Sequence, residues 1–223
     1  MSSRGDSVPY VDRSHAGSVV ATHVAARALG DPVVLALPRG GVPTAEPIAR
    51  RLGVALEVMV ARKVGAPGNP ELGIGAVGEG GSLVADDHAL RALGITPGRF
   101  DELAAAERTE VARRVQRYRG RRPLPDLLDR QAVLVDDGLA TGVTAEAALR
   151  DLRDRRPQTL LLAVPVGVAE TVDRLRRVAD DVICAHMPAR FRSVGEWYQH
   201  FDQTTDDEVC ASLERWGPDR QPS

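Results

Sequence analysis

The sequence predicts an α/β fold: a doubly wound, mostly parallel five-stranded sheet flanked by helices, with a small hood or lid region beside it. Three observations carry that expectation. Five short apolar runs, each of a length suited to one buried strand, recur along the chain. Amphipathic segments alternate with most of them, which is the order of β–α–β crossovers. The 223 residues, 43% of them hydrophobic, suffice for one core of ordinary domain size.

The elements follow in order. VVLAL at 33–37 reads as the first strand, stopped by Pro38 and the pair Gly40-Gly41. A helix comes next, with Pro43 in its first turn, Ile48 and Leu52 on its apolar stripe and Gly53 at its C-terminal cap. LEVMVA at 56–61 is the second strand. Residues 63–82, KVGAPGNPELGIGAVGEGGS, are too rich in Gly and Pro and too long for an ordinary connection; such stretches form lids or carry small extra strands. Residues 97–122 read as helix, with Phe100, Leu103, Val111, Val115 and Tyr118 on one side. A strand around 133–135 precedes a helix over about 141–152. LLLAVPV at 160–166 and DVICA at 181–185 complete the sheet, with a helix at about 169–178 between them. The expected organisation is one domain over 1–223. It has a core sheet from about 31–62 and 131–186, a hood and helical insertion over about 63–122, and a C-terminal segment at 187–217. The tail GPDRQPS is expected to fray.

Composition narrows the function classes. Twenty-nine basic residues against 31 acidic ones, a net charge of −2, argue against a dedicated nucleic-acid binder. The longest apolar stretch, 160–169, is broken by Pro165 and Gly167 and falls short of the ~20 residues a membrane span needs. MSSRGDSVPYVDR at the start contains no apolar secretory core, so a cytoplasmic protein is expected. Two cysteines, Cys184 and Cys210, cannot build a disulfide framework or a cysteine-ligated zinc site. The run Arg108, Arg113, Arg114, Arg117, Arg119, Arg121 and Arg122 is either a polyanion surface or a solvated helix face; Glu110, four residues before Arg114, supports the latter.

The chemistry concentrates in AVLVDDGLATGVTAEAAL, 132–149. A buried strand ends in two carboxylates, Asp136 and Asp137, and a short turn leads to Thr141-Gly142-Val143-Thr144 at the start of a helix. A helix N-terminus offers unpaired N–H groups and a positive dipole end to a phosphate. Thr141 and Thr144 add hydroxyl donors, and Gly142 lets the backbone approach. The carboxylates can accept hydrogen bonds from sugar hydroxyls. Phosphate donors and ribose acceptors at this spacing read as a ribose 5-phosphate site. A P-loop lysine and a GxGxxG turn are both missing here.

VLVDDGLATGVT (133–144) resembles the phosphoribosyl-diphosphate (PRPP) signature of type I phosphoribosyltransferases. The chain is similar, more narrowly, to a bacterial group of phosphoribosyltransferase-like proteins, some of them fused to hydrolase-like domains. DRSHAG (12–17), LALPRGGVP (35–43), RKVGAPGNPELGIGAV (62–77) and FRSVGEWYQHFDQTTDDEV (191–209) also carry this resemblance, over nearly the whole chain. It implies that Asp136 and Asp137 contact the ribose hydroxyls, directly or through Mg²⁺ and its waters, while Ala140, Thr141, Gly142, Val143 and Thr144 cradle the 5-phosphate. Arg39, Gly40 and Gly41 match the pyrophosphate-binding loop, with Arg39 supplying charge. Arg62 and Lys63 either open a mobile lid that brings charge to the leaving group or form an ordinary basic pair at a strand end.

The implied activity is PRPP-dependent pentosyl transfer to a nucleobase or similar heterocycle, with Arg39, Arg62, Lys63, Asp136 and Asp137 as the catalytic set and Mg²⁺ as cofactor. Hypoxanthine-type relatives carry an acid where this chain has Ala140, so the signature looks more like the orotate and adenine types. Glu71 and Glu79 are candidate bases. Phe191, Trp197 and Tyr198, with Phe201, either stack on a flat acceptor or form the seam that packs the C-terminal segment. Related enzymes are commonly dimers, so a homodimer is implied. The alternative is a PRPP-sensing regulator that binds nucleic acid or a protein partner.

Overall fold

The computed structural model describes residues 9–218; the first eight residues and the end of the expected tail lie outside them. In chain order the elements are α1 (Arg13–Ala25), β1 (Pro32–Ala36), α2 (Gly41–Leu52), β2 (Leu56–Val58), β3 (Ala61–Ala66), β4 (Asn69–Gly78), β5 (Leu83–Ala85) and α3 (Asp87–Ala92). There follow α4 (Pro97–Arg119), β6 (Gln131–Val135), α5 (Val143–Arg153), β7 (Thr159–Val166), α6 (Ala169–Leu175), β8 (Asp181–His186), a 3₁₀ turn at Val194–Trp197 and α7 (Asp206–Trp216). Among the described residues, no helix is long and apolar enough to cross a membrane.

Five parallel strands form the main sheet in the order β2-β1-β6-β7-β8, as the alternating apolar runs predict. Successive residues of each strand supply opposite faces. Val34, Val133, Leu161 and Ile183 pack under α1, α2 and α7, whereas Leu35, Leu134, Leu162 and Val182 pack under α5 and α6. The chain winds outward in both directions from the β1–β6 pair. The carboxyl ends of β1 and β6 therefore flank the topological switch point, where open α/β sheets leave a crevice for ligands.

One sequence expectation needs correction and one alternative is decided. The strand expected at 56–61 stops at Val58, and Ala61 already begins a second sheet. Of the two readings of residues 63–82, a lid or small extra strands, the second holds: they form most of a three-stranded antiparallel sheet, β3-β4-β5. Antiparallel pairing supplies the reason: Arg62 lies opposite Val77 and Lys63 opposite Ala76, and only Pro67 and Gly68 are left to turn the chain. The glycines serve close packing, since a Cβ on Gly75 would overlap the Phe100 ring of α4. The small sheet leans on α5 through Ala76, Val84, Val143 and Ala147.

The long α4 starts at the Thr96 cap and buries Phe100, Ala104, Val111 and Tyr118, close to the predicted stripe. Its arginines are mostly neutralised within the fold. Arg113 and Arg114 pair with Glu110, Arg117 with Asp207, and Arg119 with buried Glu79. The run thus behaves chiefly as a helix face matched by carboxylates.

Candidate active site

Two strand-to-helix turns meet at the switch point. After β1, Leu37 donates its N–H to the Val135 carbonyl at 2.8 Å, which holds the turn against β6. Gly40 then caps α2 with its Cα directly against the Asp137 carboxylate; an added Cβ would overlap Asp137 Oδ2. A Cβ on Gly41 would sit 2.6 Å from the Val135 carbonyl oxygen. Glycine at both positions is therefore a packing requirement of this turn. The Pro38–Arg39 peptide is cis.

After β6, Leu139 pairs with Val166 and Val168 at the end of β7. Gly142 takes a left-handed conformation, φ 68°, and starts α5. Helix α6 secures the turn from behind. Thr171 Oγ1 donates to the Ala140 carbonyl at 2.7 Å, the Arg174 guanidinium donates to the Thr141 carbonyl and pairs with Glu146, and the Gly142 carbonyl accepts from Glu146 N–H. With the carbonyls occupied, the N–H groups of Thr141 to Thr144 meet no acceptor among the described residues. The turn is preorganised for an anion, and Ala140 and Thr141 are exposed beside it.

Between the turns stand Asp136 and Asp137. Burial, and then the charge of Asp137, push Asp136 well above the usual carboxylate range. Burial also raises Asp137, against the opposing pull of the Arg13 guanidinium, whose Nε lies 2.7 Å from Asp137 Oδ2. Asp136 Oδ1 accepts from Asp137 N–H at 2.9 Å. Among the described residues, no group of three His, Cys, Asp or Glu side chains is arranged to hold a metal ion. Two adjacent carboxylates still fit Mg²⁺, which characteristically uses one or two carboxylates together with waters and substrate phosphates.

Arg13 is the site residue that local sequence reasoning missed, although its segment, DRSHAG, carries part of the family resemblance. Asp12 caps α1 by accepting from His15 N–H at 2.7 Å. Gly17 lets α1 lie on the backbone of α2, where a Cβ would overlap the Thr44 carbonyl oxygen. Together they deliver Arg13 to Asp137, to the Asp202 carbonyl at 2.7 Å and to the face of Phe201 at 3.7 Å.

The structure brings Arg39, Gly40, Gly41, Asp136, Asp137 and the 140–144 turn to one edge. The Arg39 guanidinium, however, leans 3.8 Å from Asp206 at the start of α7. Arg62 sits within β3 and pairs with Glu107 of α4 at 2.9 Å, and the Lys63 side chain lies over Gly73. Neither opens a loop. Glu79 is committed to Arg119 and to the Val60 N–H, which removes it as a free base; the Glu71 side chain lies outside what is described. Trp197 and Tyr198 are each 5% exposed and pack with Tyr10, Ala16 and Val166. Tyr198 donates its hydroxyl to the Asp137 carbonyl at 2.5 Å. These two rings are therefore the packing seam, and the seam braces the carboxylate pair. Phe191, half-buried, lies 6.4 Å from Trp197 in a stacked arrangement.

A doubly wound sheet that sets a turn of free N–H groups and a carboxylate pair at its switch point defines a class of α/β ligand-binding domains. Comparison with known proteins gives the family: the phosphoribosyl transferase domain matches residues 11–199, and this chain belongs to it. Two Mycobacterium tuberculosis proteins, named "Putative phosphoribosyl transferase Rv0571c" in strain H37Rv and "Putative phosphoribosyl transferase MT0597" in strain CDC 1551, are each 43% identical over 206 residues. The alignment covers 92% of this chain but 46% of theirs, so the chain spans about half the length of these curated relatives. The crystal structure of TT1426 from Thermus thermophilus is 45% identical with a TM-score of 0.77, covering 93% of this chain and 98% of that one. The AQ2163 protein from Aquifex aeolicus, 13% identical with a TM-score of 0.50, covers 82% of this chain and 76% of its own, and shares the fold.

Proposed function

We propose that the chain transfers the 5-phosphoribosyl group from PRPP to a nucleobase or similar heterocycle, releasing pyrophosphate. One observation carries this reading: the glycine turn of 38–41 and the phosphate turn of 140–144 face the same carboxylate pair, with Gly40 in contact with Asp137. That spacing suits a substrate with phosphate at one end, a diphosphate at the other and a diol between them.

The 5-phosphate binds the free N–H groups of Thr141 to Thr144 and the two threonine hydroxyls. Asp136 and Asp137 accept from the ribose hydroxyls and hold the anomeric carbon in line for displacement. As the bond to pyrophosphate breaks, positive charge grows on the sugar and negative charge on the leaving group. The glycine turn lets the backbone approach the diphosphate, and Arg39 brings charge to it after leaving Asp206. Asp136 and Asp137 would hold Mg²⁺, which would add charge neutralisation at the diphosphate. Arg62 acts indirectly, by tying β3 to α4.

The acceptor class is open to direct assay. Pyrophosphate release from PRPP is followed with adenine, guanine, hypoxanthine, uracil and orotate. Release stimulated by one base supports the reading and names the acceptor. PRPP binding with no release from any of the five would favour a sensor instead. The neutralised arginines of α4 give a nucleic-acid-binding sensor little support.

A further inference from the structure

Helix α4 carries two kinds of arginine. Arg113, Arg114 and Arg117 are matched by carboxylates, as described above. Arg108, which is exposed, and Arg155, just beyond α5, have no carboxylate partner among the described residues. Both line an open cavity of about 570 Å³ bordered by α4, the 78–81 turn and the segment 122–124. Arg119 and Arg122 line it too. Two of these four are already paired, Arg119 with Glu79 at 2.6 Å and Arg122 with buried Glu57 at 3.0 Å, which leaves Arg108 and Arg155 as the charges of the wall that no carboxylate matches.

Arg119 fixes the wall from within. Its side chain is 4% exposed. One terminal nitrogen reaches the Val58 carbonyl and both reach Glu79, yet its Nε is buried with no acceptor among the described residues. The donors that an occupant can reach are therefore those of the exposed pair, Arg108 and Arg155. The remaining wall is mostly apolar, with Val111, Val115 and Leu124 beside the amide of Gln116.

We infer that this cavity binds a small phosphorylated molecule with a flat or apolar body. Planar guanidinium forks match phosphate oxygens in pairs, and two unmatched guanidiniums suit a group that carries up to two negative charges. The volume lies within the range of small-molecule sites. This site is separate from the switch-point crevice. Arg155 follows the C-terminal end of α5, whereas the phosphate turn forms its N-terminal end; the eleven residues between span about 16 Å. The two sites share that helix, because Asp151 of α5 accepts from the N–H groups of Gly80 and Ser82, each at 2.8 Å, and so anchors the cavity's turn. An occupant therefore rests against a turn anchored to the helix that forms the phosphate cradle.

Removing Arg119 would strand buried Glu79 and endanger folding, so the test uses the exposed pair. Amide hydrogen exchange is followed on the full chain with ADP as the probe and pyrophosphate as a control without a body. In the wild type, ADP protects peptides over 78–81 and 108–124. In R108E/R155E that protection needs at least tenfold more ADP, while any ADP protection at 138–146 is unchanged. No ADP protection at 78–81 and 108–124, or protection that survives the double substitution, overturns the inference. Equal protection by pyrophosphate overturns the part assigned to the apolar wall.

Discussion

The two turns at the switch point are built on opposite plans. The 140–144 turn is defined by what it presents: free N–H groups and hydroxyls, held rigid because α6 occupies its carbonyls. The 38–41 turn works through what it lacks. Gly40 and Gly41 bear no side chain, so the turn closes to contact with Asp137 and the Val135 carbonyl, while its one charge, Arg39, rests against Asp206 of α7. A donor array tolerates the loss of any single hydroxyl, but a close approach does not tolerate one added methyl.

That contrast sets the order of expected effects. Gly41→Ala pushes a methyl into the β6 backbone and should be the most damaging, removing activity and costing about 1–3 kcal/mol of stability. Gly98→Ala is its control, since a Cβ there meets nothing within 4 Å; urea denaturation of both variants reads the difference. If Gly41→Ala folded and turned over normally, the close-approach account of this turn would be wrong.

Next come the carboxylates, where function and stability should part. Asp136→Asn and Asp137→Asn each should lower turnover roughly 10²–10³-fold, the scale of losing one positioned electrostatic group. Asp136→Asn relieves a buried like-charge pair and should raise the melting temperature by about 2–4 °C for each kcal/mol gained. Asp137→Asn leaves largely buried Arg13 without its carboxylate and should lower it. Thermal melts with steady-state assays separate the two; equal shifts would contradict the assigned pairing.

Smaller effects belong to the array. Thr141→Ala or Thr144→Ala should weaken PRPP about three- to tenfold, near 1 kcal/mol each, because the backbone carries most of the phosphate. Calorimetric titration of each variant checks this, and a loss on the scale of the carboxylate variants would mean that the hydroxyls dominate.

The smallest effect lies outside the site. Hydrogen bonding to Arg113 and then Arg114 lowers Glu110 to about 2. A carboxylate depressed in the folded state contributes above its ordinary value of 4.5, and that contribution disappears as pH falls towards about 2. Glu110 is mostly solvated, so only a few tenths of a kcal/mol are at stake. Urea midpoints should therefore converge for wild type and Glu110→Gln as pH falls, and high salt should shrink their difference at neutral pH.

The phosphate turn was legible because its signal is local: a buried strand, two acids and TGVT lie within one short segment. The main sheet was legible for a similar reason, through uninterrupted runs such as VVLAL and LLLAVPV. Arg13 was not, because its partner Asp137 lies 124 residues away and only the packing of α1 on α2 joins them. The small sheet was legible only as one of two alternatives, lid or extra strands, because its glycines have low strand propensity although they let Phe100 pack closely. Trp197 and Tyr198 were ambiguous because composition reports aromatic rings but not which way they face. Burial on Tyr10 and Val166 decides it.

The most direct test of the central claim is calorimetric titration of PRPP with Mg²⁺ into the wild type and into the Asp136→Asn/Asp137→Asn double variant. The account predicts one binding event at the switch point in the wild type and its loss in a variant that still melts cooperatively. Undiminished PRPP binding by the folded double variant, or no binding by the wild type, would contradict it.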